Sequence, residues 1–484
     1  MTNIGIKAVG AYVPRRRLSR AAIVEAHFWA KPGLKGLGRG TRAICSHDED
    51  VITMAVEAGR ACIDGLHQTQ PEKLFLSSTG LPFADRQNAT LVGEALGLNE
   101  NMRTADFTGS QRAGTGALLQ SLSSASGDCL VIGSEKCLTK PGSIDELIVG
   151  DGAASLLVGE DELVANFVGS HSISRDLVDH YRASHSDYDY VLEERWVRDE
   201  GTMRIIPEAV GKLLLEKNMA HESIDHVLIA GLDSRSVAKT AASCGFDKAK
   251  VHQGFRELIG HAGSADALLL LADILQSAKA GELIMLIGFG QGCDVLLFQA
   301  TDLISKASLF NGVGLTVAQG IDDDNYLRFL SFNRLVDMDW GMRAERDNRT
   351  ALSAFFRNRR AVTGFIGGVC KACGVAQFPK TDLCVNPICG KANSQEDEAF
   401  SGKRGEVKSF TEDWLALSLN PPLMYGSVRF DKKSTLMMEY ADFSAGELSI
   451  GTPLKMVFRI KDFDELRGYR RYFWKAAPFR NLVD

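Results

Sequence analysis

Nowhere in the chain do apolar residues run on for the roughly 20 positions a membrane-crossing helix needs. The opening Met-Thr-Asn-Ile-Gly-Ile also lacks a basic cluster ahead of an apolar stretch. These absences argue against a helical membrane span and a secretory signal, so the expected location is the cytoplasm. Positive charge is not in surplus either. Lys and Arg number 55 against 61 Asp and Glu, a net charge of −6, which argues against nucleic acid or an anionic membrane as the main partner. What remains is globular: 484 residues, 45% hydrophobic and 24% charged, enough for more than one core.

A further absence lies inside the most distinctive stretch, Asp106-Phe-Thr-Gly-Ser-Gln111-Arg-Ala-Gly-Thr115-Gly-Ala-Leu-Leu119. It reads as a Gly-rich turn leading into an apolar helix of small residues. Such helix starts aim free backbone N–H groups and the positive end of the helix dipole at one point, which stabilises an anion. Enzymes place nucleophiles there. Here the position holds Ser110 and Gln111, with no cysteine.

Residues 1 to about 300 alternate strand-like runs with helical patterns, an α/β architecture. Strands are expected at Lys73–Leu76, Cys129–Ile132, Ser155–Val158, Val227–Ile229, Leu283–Ile287 and Val295–Phe298. Helices are expected at Asp50–Cys62 and Pro207–Leu215. A weak repeat runs through this region. Ala113-Gly-Thr-Gly-Ala-Leu-Leu119 leads to Gly127-Asp-Cys-Leu-Val-Ile-Gly133, as Ala262-Gly-Ser-Ala-Asp-Ala-Leu-Leu269 leads to Gly281-Glu-Leu-Ile-Met-Leu-Ile-Gly288. A duplication would set two helix starts face to face, with residues 110–111 near His261. The expected domains are therefore two halves, 1–165 and 166–300, then a charged helical connector over 301–362. Beyond it, five short strand patterns, Gly405–Phe410, Leu423–Val428, Leu436–Tyr440, Leu454–Ile460 and Tyr469–Trp474, fit a small closed barrel over 397–484. The OB-fold is the commonest barrel with that count.

Of ten cysteines, Cys45, Cys62, Cys129, Cys137, Cys244 and Cys293 are scattered among apolar neighbours and read as core residues. The other four form Cys370-Lys-Ala-Cys373-Gly and Cys384-Val-Asn-Pro-Ile-Cys389-Gly. Two close thiolate pairs about ten residues apart can close a tetrahedral site, so a zinc ribbon is expected over 363–396. The second pair has four intervening residues where two is usual. With four protein ligands and no open position, the Zn²⁺ would be structural; a rubredoxin-like iron site is the alternative occupant.

The first two-thirds resembles the 3-hydroxy-3-methylglutaryl-CoA synthase branch of the thiolase superfamily. The likeness rests on Ile4-Gly-Ile6 with Ala11-Tyr-Val-Pro14, Asp48-Glu-Asp-Val-Ile-Thr-Met-Ala55, Ala113-Gly-Thr115, Gly133-Ser-Glu135, Gly150-Asp-Gly-Ala-Ala154, Asp179-His-Tyr-Arg182, Ile259-Gly260 with Ser264, and Phe289-Gly-Gln-Gly292. The last third, through Cys370-Lys-Ala-Cys-Gly and Tyr472-Phe-Trp-Lys475, resembles the zinc-ribbon and OB-fold modules that accompany thiolase-like acyl-CoA enzymes. The resemblance implies a thiolase-like fold of two duplicated halves in αβαβα layers, a CoA thioester substrate, and assembly as a homodimer or with a thiolase-like protein. That family works with a Glu, a Cys and a His. Their positions fall here at Thr79, Gln111 and Ala230, and all three residues are absent.

The altered site suggests altered chemistry. His261 stands where the family has Asn, at an expected helix start whose dipole would favour the neutral imidazole as base or hydrogen-bond donor; a structural His is the alternative. Gln111 can donate its amide to an oxyanion or fill space. Ser110 is a nucleophile only with a base beside it, and otherwise an N-cap. Cys293 is a possible replacement nucleophile beside the Gly288-Phe-Gly-Gln-Gly292 loop. Thr79, Gly114, Ala230, Gly290 and Cys293 are expected to line the CoA site. Arg195 and Arg198, like Arg15-Arg-Arg17, can hold CoA phosphates or simply be solvated. The expected function is action on a carbon–carbon bond of a CoA thioester, in the Claisen, aldol, retro or decarboxylating direction, without a Cys acyl-enzyme. The alternative is a non-catalytic, acyl-CoA-channelling subunit of a thiolase complex.

Overall fold

The computed structural model describes residues 3–64, 70–123, 127–191, 193–309, 312–341, 351–430 and 434–480. Contacts divide the chain into two compact units. The first is Met1–Ser46, Asp50–Thr90 and Asn101–Asn333; the second is His47–Glu49, Leu91–Glu100 and Arg334–Asp484. The stretch read as a connector is thus shared between them at Asn333/Arg334, and Arg349 and Thr350 of its charged helix lie outside the described residues.

The first unit is built on strands β1 (Gly5–Tyr12), β2 (Lys73–Ser77), β3 (Arg103–Phe107), β4 (Cys129–Glu135) and β5 (Gly152–Gly159). A second set follows: β6 (Ala165–Ser174), β7 (His226–Ile229), β8 (Leu283–Phe289) and β9 (Gly292–Ala300). All six expected strands are present. Apart from half-buried Leu283 they are buried along their whole length, as continuous apolar runs covered on both faces should be. The order of the first set is β3-β2-β4-β5-β1, with β2 parallel to β3 and β4 and the remaining pairs antiparallel. The second set repeats it. Val251 bridges β7 in parallel in the place of a third strand, and β7-β8-β9-β6 follow in the same sequence of parallel and antiparallel pairings. Among the described residues, the two sets pair where Gly5 and Ile6 meet Asn166 and Ala165. The repeat suspected from small residues is therefore a repeat of topology.

Helix α1 (Val51–Ile63) begins one residue later than expected, because Asp50 is its cap. The Asp50 carboxylate accepts from the N–H groups of Ile52 and Thr53, and Thr53 Oγ1 accepts from the Asp50 N–H in return. Helix α2 is Ala113–Leu122, α3 is Ile205–Glu216 and α4 is Asp266–Ile274. α3 also begins earlier than the expected Pro207, which sits inside its first turn, where a missing N–H costs no hydrogen bond.

The second unit is all-β apart from short helices. A three-stranded sheet, β10 (Ile366–Cys370), β11 (Ala376–Gln377) and β12 (Gln395–Ala399), has the order β11-β10-β12. Five strands follow: β13 (Gly405–Asp413), β14 (Leu423–Arg429), β15 (Thr435–Glu439), β16 (Pro453–Asp464) and β17 (Tyr469–Pro478). Their order is β15-β14-β13-β16-β17, and a parallel bridge between Tyr440 and Ala476 links the two ends of the row. Phe365, fully buried, stacks on Trp474 at 5.9 Å and meets Phe378, Phe400 and Phe473 edge-on or tilted. That aromatic cluster unites the small sheet and the five-stranded one in a single core. Two buried cations are matched beside it. Arg459 pairs with Glu49 (3.2 Å) and Asp442 (3.1 Å), and Lys475 with Asp48 (2.9 Å) and Glu439 (3.2 Å). Burial alone would raise the Asp48 pKa, but Lys475, His47 and Arg459 hold it well below the usual carboxylate range.

In the first unit, α2 touches the segment ahead of α4. A Cβ on Gly114 would lie 2.3 Å from the carbonyl oxygen of Ser264 and 3.0 Å from Leu268 Cδ1. Gly116, one turn-face away on the same helix, has nothing within 4 Å of its missing Cβ. Gly114→Ala is therefore expected to destabilise the first unit by about 1–3 kcal/mol through overpacking. Gly116→Ala should stabilise it by about 0.5–1 kcal/mol through helix propensity. Urea unfolding followed by a probe in the first unit measures both, and equal effects of the two would refute the close approach.

Candidate active site

The loops that carry the predicted site residues leave the carboxyl ends of parallel strands, where open α/β sheets place their ligands. Ser78 and Thr79 follow β2, the 108–112 turn follows β3, Glu135 ends β4, and Ala230 follows β7. The 108–112 turn is fastened to the loop between β8 and β9. Ser110 Oγ donates to the Gly290 carbonyl at 2.9 Å and accepts from the Arg112 N–H at 3.3 Å. Arg112 reaches the same carbonyl through Nε (2.9 Å), Asp294 through Nη1 (2.9 Å) and Ser174 through Nη2 (3.2 Å). Buried Asp294 also accepts from Thr115 and Ser172, each at 2.8 Å.

Ser110 is thus a fastening. No imidazole or carboxylate touches its hydroxyl among the described residues, so nothing activates it as a nucleophile. It is not the helix cap either, since Arg112 occupies that position and makes no side-chain cap bond.

At the centre of the strand ends sits a group that sequence reasoning quoted without assigning a role. Glu135 is 2% exposed. Its Oε2 accepts from the Thr79 N–H at 2.9 Å and Ser264 Oγ at 2.6 Å, and its Oε1 from Ser78 Oγ at 3.1 Å. Burial raises its pKa above the ordinary 4.5, against the pull of Ser264, Thr79 and Ser78. Among the described residues it has no cationic partner. An acidic residue closing an apolar strand was the available signal. Thr79 therefore meets a carboxylate supplied by the neighbouring strand.

Gln111 lies beside it. A Cβ on Gly263 (φ +49°) would come within 3.0 Å of Gln111 Oε1, 2.9 Å of Glu135 Cγ and 3.5 Å of Cys137 Sγ. That oxygen is shielded from solvent and makes no hydrogen bond among the described residues. Cys137 is the thiol nearest this group, but burial, with Glu135 and Asp151, pushes its pKa well above 9.0, so it is not a ready thiolate. His261 is two residues from Gly263, and its backbone N–H and carbonyl bond Ile148 and Gly150 across a parallel bridge to Val149. It precedes the helical turn at Gly263–Ala265 rather than starting α4. Its pKa is lowered, chiefly by burial and further by Arg256 and Arg20, the same direction the sequence suggested but from a different main cause. Its Nδ1 is buried and has no hydrogen-bond partner among the described residues.

The remaining expectations divide. Gly114 lies at the α2 contact and Gly290 receives the Ser110 and Arg112 bonds. Ala230 is buried, its N–H bonded to Ile287. Cys293 is 0% exposed within the core of the second strand set, paired with Phe289 and Ile173, and burial raises its pKa well above 9.0. It is a core residue and not a replacement nucleophile. Arg195 and Arg198 are exposed and share Asp199 at 3.6 and 2.8 Å. Arg16 pairs with Asp323 at 2.9 Å and buried Arg17 donates to the carbonyls of Pro14, Thr316 and Val317, so both are structural.

In the second unit, the Sγ atoms of Cys370, Cys373, Cys384 and Cys389 all lie within 4.8 Å of one another, with 370–389 at 3.9 Å and 373–384 at 3.6 Å. Sulfurs ~2.3 Å from a central Zn²⁺ would stand about 3.8 Å apart, so the donor set fits that ion. Ser394 Oγ lies 3.2 Å from Cys370 Sγ as an outer-shell partner. A separate cavity of about 280 Å³ opens beside Tyr425, Glu439, Lys461 and Phe473, and no predicted site residue lines it.

Comparison with known proteins places this geometry. Residues 214–296 match the family 3-Oxoacyl-[acyl-carrier-protein (ACP)] synthase III C terminal. Hydroxymethylglutaryl-CoA synthase of Caldivirga maquilingensis is 27% identical over 351 residues, 70% of this chain and 99% of that protein. The Archaeoglobus fulgidus enzyme of that name is 29% identical over 63% of this chain and 91% of its own length. Among solved structures, MvaS in complex with 3-hydroxy-3-methylglutaryl coenzyme A superposes with a TM-score of 0.60 at 19% identity, over 71% of this chain and 95% of that one. The 3-oxoacyl-(acyl carrier protein) synthase III FabH from Pseudomonas aeruginosa gives 0.56 at 17%, over 62% and 99%. Among the described residues, no helix is long and apolar enough to cross a membrane.

The lowered pKa of His261 has a consequence for stability. The unfolded imidazole takes up its proton near 6.5, the folded one only at lower pH. Between the two values the unfolded state binds more protons, so stability falls as the pH drops below about 6.5 and levels off below the folded value. Urea midpoints measured across roughly pH 5–8 should fall less steeply on acidification in His261→Asn than in the parent; equal slopes would exclude a neutral His261.

Proposed function

We propose, for a chain whose first unit has the thiolase-like fold and is homologous to hydroxymethylglutaryl-CoA synthases, that the site at the carboxyl ends of β2, β4 and β7 binds a CoA thioester. It acts there on a carbon–carbon bond without an acyl-enzyme. One observation carries this reading. Polar groups still converge on the site, while every side chain suited to covalent attack is engaged or buried: Ser110 on Gly290, Cys293 in the core, Cys137 held as a thiol. Stabilising an enolate oxygen needs donors in a dry site and no covalent bond, and one such donor supplies about 3–4 kcal/mol. The Gln111 amide and a neutral His261 are the side chains suited to that task. Exposed Arg195 and Arg198 are the cations available to CoA phosphates.

The same lack of a nucleophile favours a second reading, an acyl-CoA-binding subunit without turnover of its own. Incubation with acetyl-CoA, followed by calorimetry and intact-protein mass measurement, tests the proposal. Binding with an unchanged protein mass is expected; an acetyl adduct on any residue, or no binding, would sink it. Turnover of a panel of CoA thioesters then separates the enzyme from the subunit.

We also read the second unit as a zinc ribbon followed by an OB-fold barrel, supported by the four clustered thiols and the linked row of five strands. Elemental analysis of the purified chain should find one equivalent of zinc, lost in Cys373→Ser together with the cooperative unfolding of the second unit. Bound iron, or full metal content in that variant, would contradict it.

A further inference from the structure

We infer that Glu135 is the catalytic base that removes the α-proton of the bound thioester. The assignment rests on the CoA-thioester reading above and adds to it the group that moves the proton. Glu135 ends β4 with its two oxygens held by donors from two directions, Ser78 and Thr79 from the loop after β2 and Ser264 from the segment ahead of α4.

Besides those donors, two glycines pack against the carboxylate and its neighbour Gln111. A Cβ on Gly80 would sit 3.0 Å from Oε1, and one on Gly263 would sit 2.9 Å from Cγ and 3.0 Å from the unpartnered Gln111 oxygen. Glycine at both points lets the backbone approach the carboxylate closely and keeps the Gln111 side chain beside it. Ser78, Thr79, Ser264, Gln111 and Cys137 are the polar neighbours. Cys137 alone among them titrates, and it is held neutral.

The step balances without a co-reactant. A Glu135 oxygen takes the proton from the α-carbon, and the C–H electron pair becomes the enolate double bond. The carbonyl pair moves onto the thioester oxygen, where an amide donor receives it. Return of the proton restores both partners; alternatively the enolate carbon attacks a second carbonyl, whose π pair moves onto its own oxygen, and that oxygen takes the proton back from Glu135. Burial raises the Glu135 pKa above 4.5, which strengthens it as a base while Ser264, Thr79 and Ser78 keep the ionised form within reach.

The test is hydrogen exchange. The full chain is incubated with acetyl-CoA in D₂O, and methyl deuteration is followed by NMR, with binding measured in parallel. The parent protein should catalyse exchange, and Glu135→Gln should bind acetyl-CoA but exchange it about 10²–10⁴-fold more slowly. Exchange at the parental rate in Glu135→Gln overturns the assignment, and so does a parent that binds acetyl-CoA but catalyses no exchange. Failure of the parent to bind would instead undo the CoA-thioester reading. Ser264→Ala keeps the carboxylate and serves if Glu135→Gln does not fold. Loss of a donor that lowers the Glu135 pKa should move the inflection of the pH–exchange profile to higher pH, and an unmoved inflection overturns the assignment equally.

Discussion

The approach of Gly114 to the Ser264 carbonyl is the contact on which the rest of the first unit depends. Among the described residues, the duplicated strand sets pair with each other at Gly5 and Ile6 of β1 and at Ala165 and Asn166 of β6, so their register draws on support from outside the sheet. The α2 and α4 segments provide it, and they can do so only where side chains are absent. Gly133, whose Cβ would fall 3.1 Å from Ala265 Cα, extends the same contact onto β4. Because that strand ends at Glu135, the packing that joins the halves also sets the carboxylate against Ser264. Stability and site geometry share one cause.

Within that frame, polar groups sort into fasteners and free groups. Asp294 illustrates the first kind: buried, it receives Arg112, Thr115 and Ser172, and so ties the 108–112 turn to the β8–β9 loop. A buried charge with that many partners is costly to disturb, because removing one partner leaves the others unpaired. Gln111 and His261 are the second kind, each with a buried polar atom that no described residue satisfies. Native structures hold few such atoms, and those they hold call for an explanation. Two of them flanking Gly263 agree with a site completed by a ligand.

Much of the architecture was legible because it is written in local pattern. Runs such as Leu283–Ile287 could be nothing but strands, Asp50 with Thr53 marks a helix start, and Cys370, Cys373, Cys384 and Cys389 announce a common centre by spacing alone. The site was less legible for a physical reason. Ser110 reads identically whether its hydroxyl caps a helix, attacks a thioester or holds Gly290, and only the fold brings residues 180 positions apart to 2.9 Å. Arg16 and Arg17 look like phosphate ligands until Asp323 and the carbonyls of residues 316–317 arrive from the far end of the unit. Cys293 carried two readings, a core residue by its apolar neighbours and a replacement nucleophile by its Gly-rich loop, and the strand pleat places it in the core.

Glu135 shows what the missing residues imply together. The resemblance puts Thr79, Gln111 and Ala230 where the family has its Glu, Cys and His; on the reading proposed above, these residues offer no covalent route and keep the main-chain geometry around it. The Thr79 N–H still points at a carboxylate, and the turn before α2 still faces the segment before α4. Losing the nucleophile removes one step of a reaction sequence; it does not remove the field that stabilises an anion, because that field belongs to backbone dipoles and buried donors fixed by the fold. A site changed in this way is suited to proton transfer and enolate chemistry, where the electrostatic surroundings do most of the catalysis.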